Sequence, residues 1–146
     1  MRGDFGYAGD VNSQGAFEAL EGDQNAVLID VRTQAEWAFV GVPDLQSIGK
    51  EPFLAEWQSF PPSGPNEGFV SAVSELLVKK ELDLAAPIYF LCRSGARSQA
   101  AAIALTQAGY TNCYNITDGF EGPLDTDGHR GTLSGWKAAG LPWKQN

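Results

Sequence analysis

Several kinds of protein are excluded by what this chain has too little of. Two cysteines in 146 residues, Cys92 and Cys113, cannot supply a disulfide framework, and they fall on separate predicted strand ends, so a reducing compartment is expected. A single histidine, His129, beside one spare cysteine makes a metal site an unfavourable expectation. Lysine and arginine number 10 against 18 acidic residues, a net charge of -8, so the basic face needed for nucleic acid or an anionic membrane is missing. No apolar run is long enough to span a bilayer, and the first residues, from Met1 to Tyr7, hold no apolar signal segment. The expectation is a soluble, cytoplasmic protein without nucleic-acid or membrane partners. Internal repeats and long polar tracts are also lacking.

What is present describes an ordinary globular chain. Hydrophobic residues make up 43% and charged residues 19%, and a chain of this length buries roughly 68–70% of its unfolded surface. One domain over 13–146 is expected, preceded by a flexible, Gly- and Asp-rich arm over 1–12. Ala26-Val27-Leu28-Ile29, closed by Asp30-Val31-Arg32, and Pro87-Ile88-Tyr89-Phe90 are continuous apolar runs of the type found in strands covered on both faces. A further strand is expected from Asn112 to Ile116.

Helices are expected between these runs. Ser13 can cap one carrying Ala16, Phe17 and Leu20, ended by Gly22, and Thr33 can cap a brief one through Glu36-Trp37. Phe69, Val70, Val73, Leu76 and Leu77 form a helical stripe within 66–82, with Asn66 as cap and Lys79-Lys80 suiting the end of its dipole. An alanine-rich helix runs from Gln99 to Ala108, with Gly109 and Tyr110 placed for a Schellman ending. Between them lie a short strand at Gln46-Ser47-Ile48, a helical turn at Phe53 to Trp57, a loop at Pro61-Pro62-Ser63-Gly64-Pro65 and a last short helix from Ser134 to Ala139. Alternating strands and helices imply an α/β fold, a mostly parallel sheet of about five strands with helices on both faces and ligands at the strand C-termini.

Cys92-Arg93-Ser94-Gly95-Ala96-Arg97-Ser98 lies at that edge, between a predicted strand and a helix. A loop there can turn its N–H groups inward, and the helix dipole adds positive potential, so its centre favours an anion and a cysteine within it ionises readily. Arg93 and Arg97 are cations at the helix end where cations are unfavourable, which suggests that they serve a bound anion. The alternative for Arg97 is a pair with Asp30 or Glu36. Asp30, Arg32 and Glu36 read as a charged set tying the strand end to the next helix, and Cys113 as a packed strand residue. His129 reads as an exposed loop residue.

These residues resemble the rhodanese, or sulfurtransferase, family. The likeness rests on Asp30-Val31-Arg32 with Glu36-Trp37, on the Cys92 to Ser98 loop, on Asp118-Gly119-Phe120 and on Gly135 to Pro142. Cys92 to Arg97 is a loop of six residues, as in rhodaneses, whereas dual-specificity phosphatases that share the fold use one more. A tighter ring suits one extra sulfur atom better than a tetrahedral phosphate. The resemblance implies a thiosulfate sulfurtransferase in which Cys92 carries sulfur as a persulfide. It implies that the loop from Arg93 through Ser94, Gly95, Ala96 and Arg97 to Ser98 binds the donor and the persulfide. A small anionic sulfur donor, cyanide or a protein or low-molecular-weight thiol as acceptor, and neither cofactor nor metal are implied with it. The alternatives on the same fold are a phosphatase or arsenate reductase and a non-enzymatic interaction module. The family's Gly-His-Ile-Pro-Gly-Ala is here Gly41-Val42-Pro43-Asp44-Leu45, without histidine, and the segment from Glu121 to Ser134 separates two family motifs, where it is expected to rim the site.

Overall fold

The structure is a computed structural model that describes residues 6–58 and 68–145. In chain order its elements are β1 (Gly9–Val11), α1 (Ser13–Gly22), β2 (Val27–Asp30), α2 (Gln34–Phe39), β3 (Val42–Pro43), β4 (Phe53–Leu54), α3 (Phe69–Lys79), β5 (Ile88–Leu91), α4 (Ala96–Gln107), β6 (Cys113–Ile116) and β7 (Trp143–Lys144). Five strands form a parallel sheet in the order β1-β6-β5-β2-β4. This is the α/β architecture expected from the alternating pattern.

The two continuous apolar runs occupy the middle of the sheet because they can bury both faces. In β5, Ile88 and Phe90 enter one core, and Tyr89 and Leu91 enter the other. The first core is completed by Phe69, Val73 and Leu77 of α3 and by Ala101, Ala102 and Leu105 of α4, the small alanines letting that helix sit close to the sheet. The second is closed by Ala16 and Leu20 of α1 and by Phe120, Trp136 and Leu141 from the C-terminal segment. Tyr110 N–H bonds the Leu105 carbonyl and Gly109 N–H that of Thr106, the two bonds of the expected Schellman ending. Thr33 and Glu36 form a capping box at the start of α2.

Local expectations differ from the structure at several places, and the alanine-rich helix starts at Ala96 rather than Gln99. Gly9–Val11, expected in a loose arm, form edge strand β1 beside β6, and Tyr7 is fully buried. Asn12, not Ser13, caps α1 by accepting from Gly15 N–H, because Ser13 gives its N–H and hydroxyl to Asp118. Gly22 is the last helical residue of α1, and Asp23 is the cap. Gln46–Ile48 is a 3-10 turn closed by left-handed Gly49, while Phe53–Leu54 is the strand, paired with Ile29 and Asp30. The segment from Ser134 to Ala139 is a run of turns, since Gly135 is bound to Asp118 and Trp136 N–H to the Gly119 carbonyl. The helix expected from Asn66 begins at Phe69, with Gly68 in place of Asn66 at its cap and no side-chain capping bond; the loop at 61–65 and Asn66 itself lie outside the described residues.

A second sheet was not legible: β3 and β7 pair antiparallel, with Val42 opposite Lys144 and Pro43 opposite Trp143. This clasp holds the C-terminal segment against the loop after α2. Among the described residues no helix is long and apolar enough to cross a membrane.

Candidate active site

At the C-terminal edge of the sheet, β5 ends at Leu91 and the chain turns through 92–95 into α4. Gly95 opens the helix with φ 107 and no side-chain cap, so the N–H groups of Ala96, Arg97 and Ser98 have no intrahelical partner. Close packing requires a glycine here, since a Cβ would lie 2.5 Å from the Thr117 carbonyl oxygen. Across from it, Gly119 (φ 66) lies so close to the Arg93 carbonyl and Ser94 nitrogen that a Cβ there would collide with both.

The wall behind the loop is Asp118-Gly119-Phe120. Phe120 N–H donates to the Cys92 carbonyl at 2.8 Å, and Glu121 and Gly122 N–H both donate to the Arg93 carbonyl at 3.1 Å. Asp118 in turn accepts from Ser13 N–H and hydroxyl, each at 2.8 Å, and from Gly135 N–H at 3.1 Å. Two motifs distant in sequence thus meet as a brace for the loop.

Cys92 is 1% exposed, at the floor of this turn. Its sulfur accepts from Gly95 N–H at 3.1 Å and lies 3.2 Å from the Ser98 hydroxyl, which also stands 2.6 Å from Asn115 Oδ1. A thiolate or persulfide held here meets an oriented amide, a hydroxyl and the opening turn of a 12-residue helix. Cys113 is in register with Ile88 at the other end of β5. At about 3.3 Å per residue, this places it far beyond the Cα separation of ~7 Å that a disulfide tolerates.

The two loop arginines have different surroundings. Arg93 is exposed and uses its backbone carbonyl to hold the wall. Arg97 is committed to Glu36 in a two-pronged pair at 2.7 and 3.0 Å, which joins the loop helix to α2. Desolvation opposes charge on both groups. The Arg97 bond nevertheless holds Glu36 below the usual carboxylate range, and the Glu36 bond, with Cys92 and Asp30 nearby, raises Arg97. Asp30 and Arg32 pair with each other in full burial, at 2.7 Å, with Arg32 also donating to the Gly41 carbonyl and stacking 4.2 Å from the Phe120 ring centroid. They tie the strand end to the turn after α2, whereas Glu36, expected in the same set, pairs with Arg97 instead.

His129 is exposed, in a segment folded around Asp125, whose carboxylate accepts from the N–H groups of Asp127 and His129 and from the Thr132 hydroxyl. The start of that segment, Glu121 and Gly122, is what touches the loop. Two site neighbours escaped the sequence reading: Asn115, 3% exposed, and Tyr7. The only signal for Asn115 was a polar residue inside the apolar run Cys113–Ile116.

The family model described as the STR4 middle domain matches residues 8–146. The chain is 43% identical to the uncharacterized protein RC0915 of Rickettsia conorii, over 88% of this chain and 91% of that one. It is 27% identical to the chloroplastic rhodanese-like domain-containing protein 4 of Arabidopsis thaliana, over 90% of this chain but 25% of the longer plant protein. The crystal structure of Rv0390 from M. tuberculosis superposes with a TM-score of 0.85 at 47% identity, covering 96% of this chain and 99% of that one. The solution structure of a polysulfide-sulfur transferase homodimer from Wolinella succinogenes shares the fold with a TM-score of 0.59 at 24% identity, over 94% of this chain and 78% of that one. The parallel sheet agrees with these likenesses, and the match along almost the whole length makes this chain a member of the STR4 middle-domain family with a rhodanese-like fold.

Proposed function

We propose that the chain is a single-domain sulfurtransferase that moves a sulfane sulfur through a Cys92 persulfide. The observation that carries this reading is the six-residue turn from Cys92 to Arg97, with the sulfur at its floor facing Gly95 N–H and the Ser98 hydroxyl. Rhodanese and sulfur transferase in the names of the plant and Wolinella relatives lend it support.

In the first half-reaction the Cys92 thiolate attacks the outer sulfur of thiosulfate. An S–S bond forms to cysteine, the S–S bond of the donor breaks, and sulfite leaves with its electron pair. In the second, cyanide or a thiolate acceptor attacks the terminal sulfur, and the Cys92 thiolate is the leaving group. The added negative sulfur moves toward the N–H groups of Ala96 and Arg97, where fixed donors stabilise it without reorganising. With Arg97 tied to Glu36, these amides and the exposed Arg93 are left to attract the anionic donor.

Incubation with thiosulfate followed by the intact mass tests the reading. The expected result is a gain of one sulfur atom that cyanide removes and that Cys92→Ala abolishes. No gain, or a gain that survives the substitution, overturns it.

A further inference from the structure

A buried polar chain runs from the Cys92 sulfur to the surface. Ser98 Oγ is 3.2 Å from the sulfur, 2.6 Å from Asn115 Oδ1 and 3.2 Å from the Gly95 carbonyl oxygen. The Asn115 amide also lies near the Tyr7 hydroxyl, which donates to Asp10 Oδ1 at 2.6 Å and accepts from Gln99 Nε2 at 3.1 Å. Ser98 and Tyr7 are fully buried, and Asn115 nearly so, while Asp10 is exposed. Strand register sets this order, for Asn115 of β6 lies between Asp10 of β1 and Phe90 of β5.

Proton counting shows why the chain matters. The Ser98 hydroxyl has one hydrogen for three acceptors. While Cys92 is a neutral thiol, its S–H donates to Ser98, and Ser98 donates to Asn115 Oδ1. Once the sulfur is negative, the thiol proton having gone to water, the Ser98 hydrogen belongs on sulfur. Asn115 Oδ1 then faces only lone pairs at 2.6 Å, an arrangement that a buried site cannot keep without cost.

We propose that Asn115 is a positioning residue for the nucleophile: it turns its amide so that Nδ2 donates to Ser98, which frees the Ser98 hydrogen for the Cys92 sulfur, and Tyr7 rotates its hydroxyl from Asp10 to Asn115 Oδ1. Only a side-chain amide and two hydroxyls rotate, and every hydrogen stays on its own atom. Asp10, at the exposed end, takes water in exchange. Tyr7 suits the part because it keeps its proton: burial, and then the Asp10 carboxylate, push its pKa up. The charged groups of the neighbouring elements are Arg97, which pairs with Glu36 and feels Cys92, the exposed Arg93 next in the chain, and Asp30, which is opposite Leu91 and paired with Arg32.

The inference rests on Cys92 reacting as a thiolate, and its test needs no sulfur transfer. The rate of iodoacetamide alkylation of Cys92, read by the mass of its peptide, is followed against pH. Tyr7→Phe removes the hydroxyl that receives the turned amide, without adding charge or touching sulfur. It is expected to slow alkylation roughly three- to tenfold near neutral pH, and to match the parent once pH is high enough to ionise both. Asn115→Asp, which can only accept from Ser98, is expected to slow it further. Asp10→Asn, which loosens the hold on the Tyr7 hydrogen, is expected to shift the profile the opposite way from Tyr7→Phe in high salt, where its own field is screened. A Tyr7→Phe profile that coincides with the parent overturns the proposal, as does an equal loss at every pH. Altered alkylation in a protein that gains no sulfur from thiosulfate would sink the transferase reading and leave this one standing.

Discussion

Glu36 binds the Thr33 N–H and the Arg97 guanidinium with one carboxylate. It is therefore both the capping-box partner of Thr33 at the start of α2 and the link from α2 to the cysteine loop. Glu36→Gln separates the two roles, because glutamine keeps a capping box but loses the ion pair. A carboxylate held below its ordinary value of 4.5 stabilises the fold above that pH and loses its contribution as pH falls through the folded value. Glu36→Gln is expected to cost about 1 kcal/mol near neutrality. At a pH low enough to protonate Glu36 in the parent, the difference should vanish. Urea unfolding at the two pH values checks this, and an equal loss at both would assign the effect to packing.

At the scale of elements, the loop is fixed less by its own residues than by two segments that cross behind it. Asp118 gathers three donors, two from the first turn of α1 and one from Gly135. Hydrogen bonds to a charged acceptor contribute more than neutral ones, so Asp118→Ala is expected to cost about 2 kcal/mol and to slow alkylation of Cys92 at every pH. Urea unfolding and the alkylation profile measure the two effects. The long apolar runs of β2 and β5, the α3 stripe and the glycine ending of α4 were legible because each contains a whole period of its pattern. Phe53–Leu54 and Gln46–Ile48 exchanged strand and turn because a two-residue strand is set by its neighbour Ile29-Asp30, not by any period of its own. The cysteine loop could be found from residue order alone. Its wall could not, since Ser13 and Asp118 are 105 positions apart.

For the whole molecule, the sheet divides the interior into two cores with different sources. One is filled by α3 and α4, and the other by α1 and by residues with little regular structure, Phe120, Trp136 and Leu141. The second core could not be drawn from helical or strand periodicity, because those side chains are delivered by turns. The clasp between β3 and β7 has the same origin, since Pro43 and Trp143 have no pattern until the chain is closed.

The edge strand β1 has a practical consequence. It pairs with β6 on one side only, through contacts that include Ala8 N–H to the Cys113 carbonyl and Thr117 N–H to the Val11 carbonyl. A shortened chain beginning at Asn12, where the sequence first turns amphipathic, would leave Cys113–Ile116 as a bare sheet margin with unpaired amides, a template for another copy. Such a chain is expected to elute larger than its parent on gel filtration at equal concentration, increasingly so as concentration rises. The eleven residues removed, of unpromising Gly-Asp composition, would then prove to include what keeps neighbouring molecules from adding themselves to the sheet.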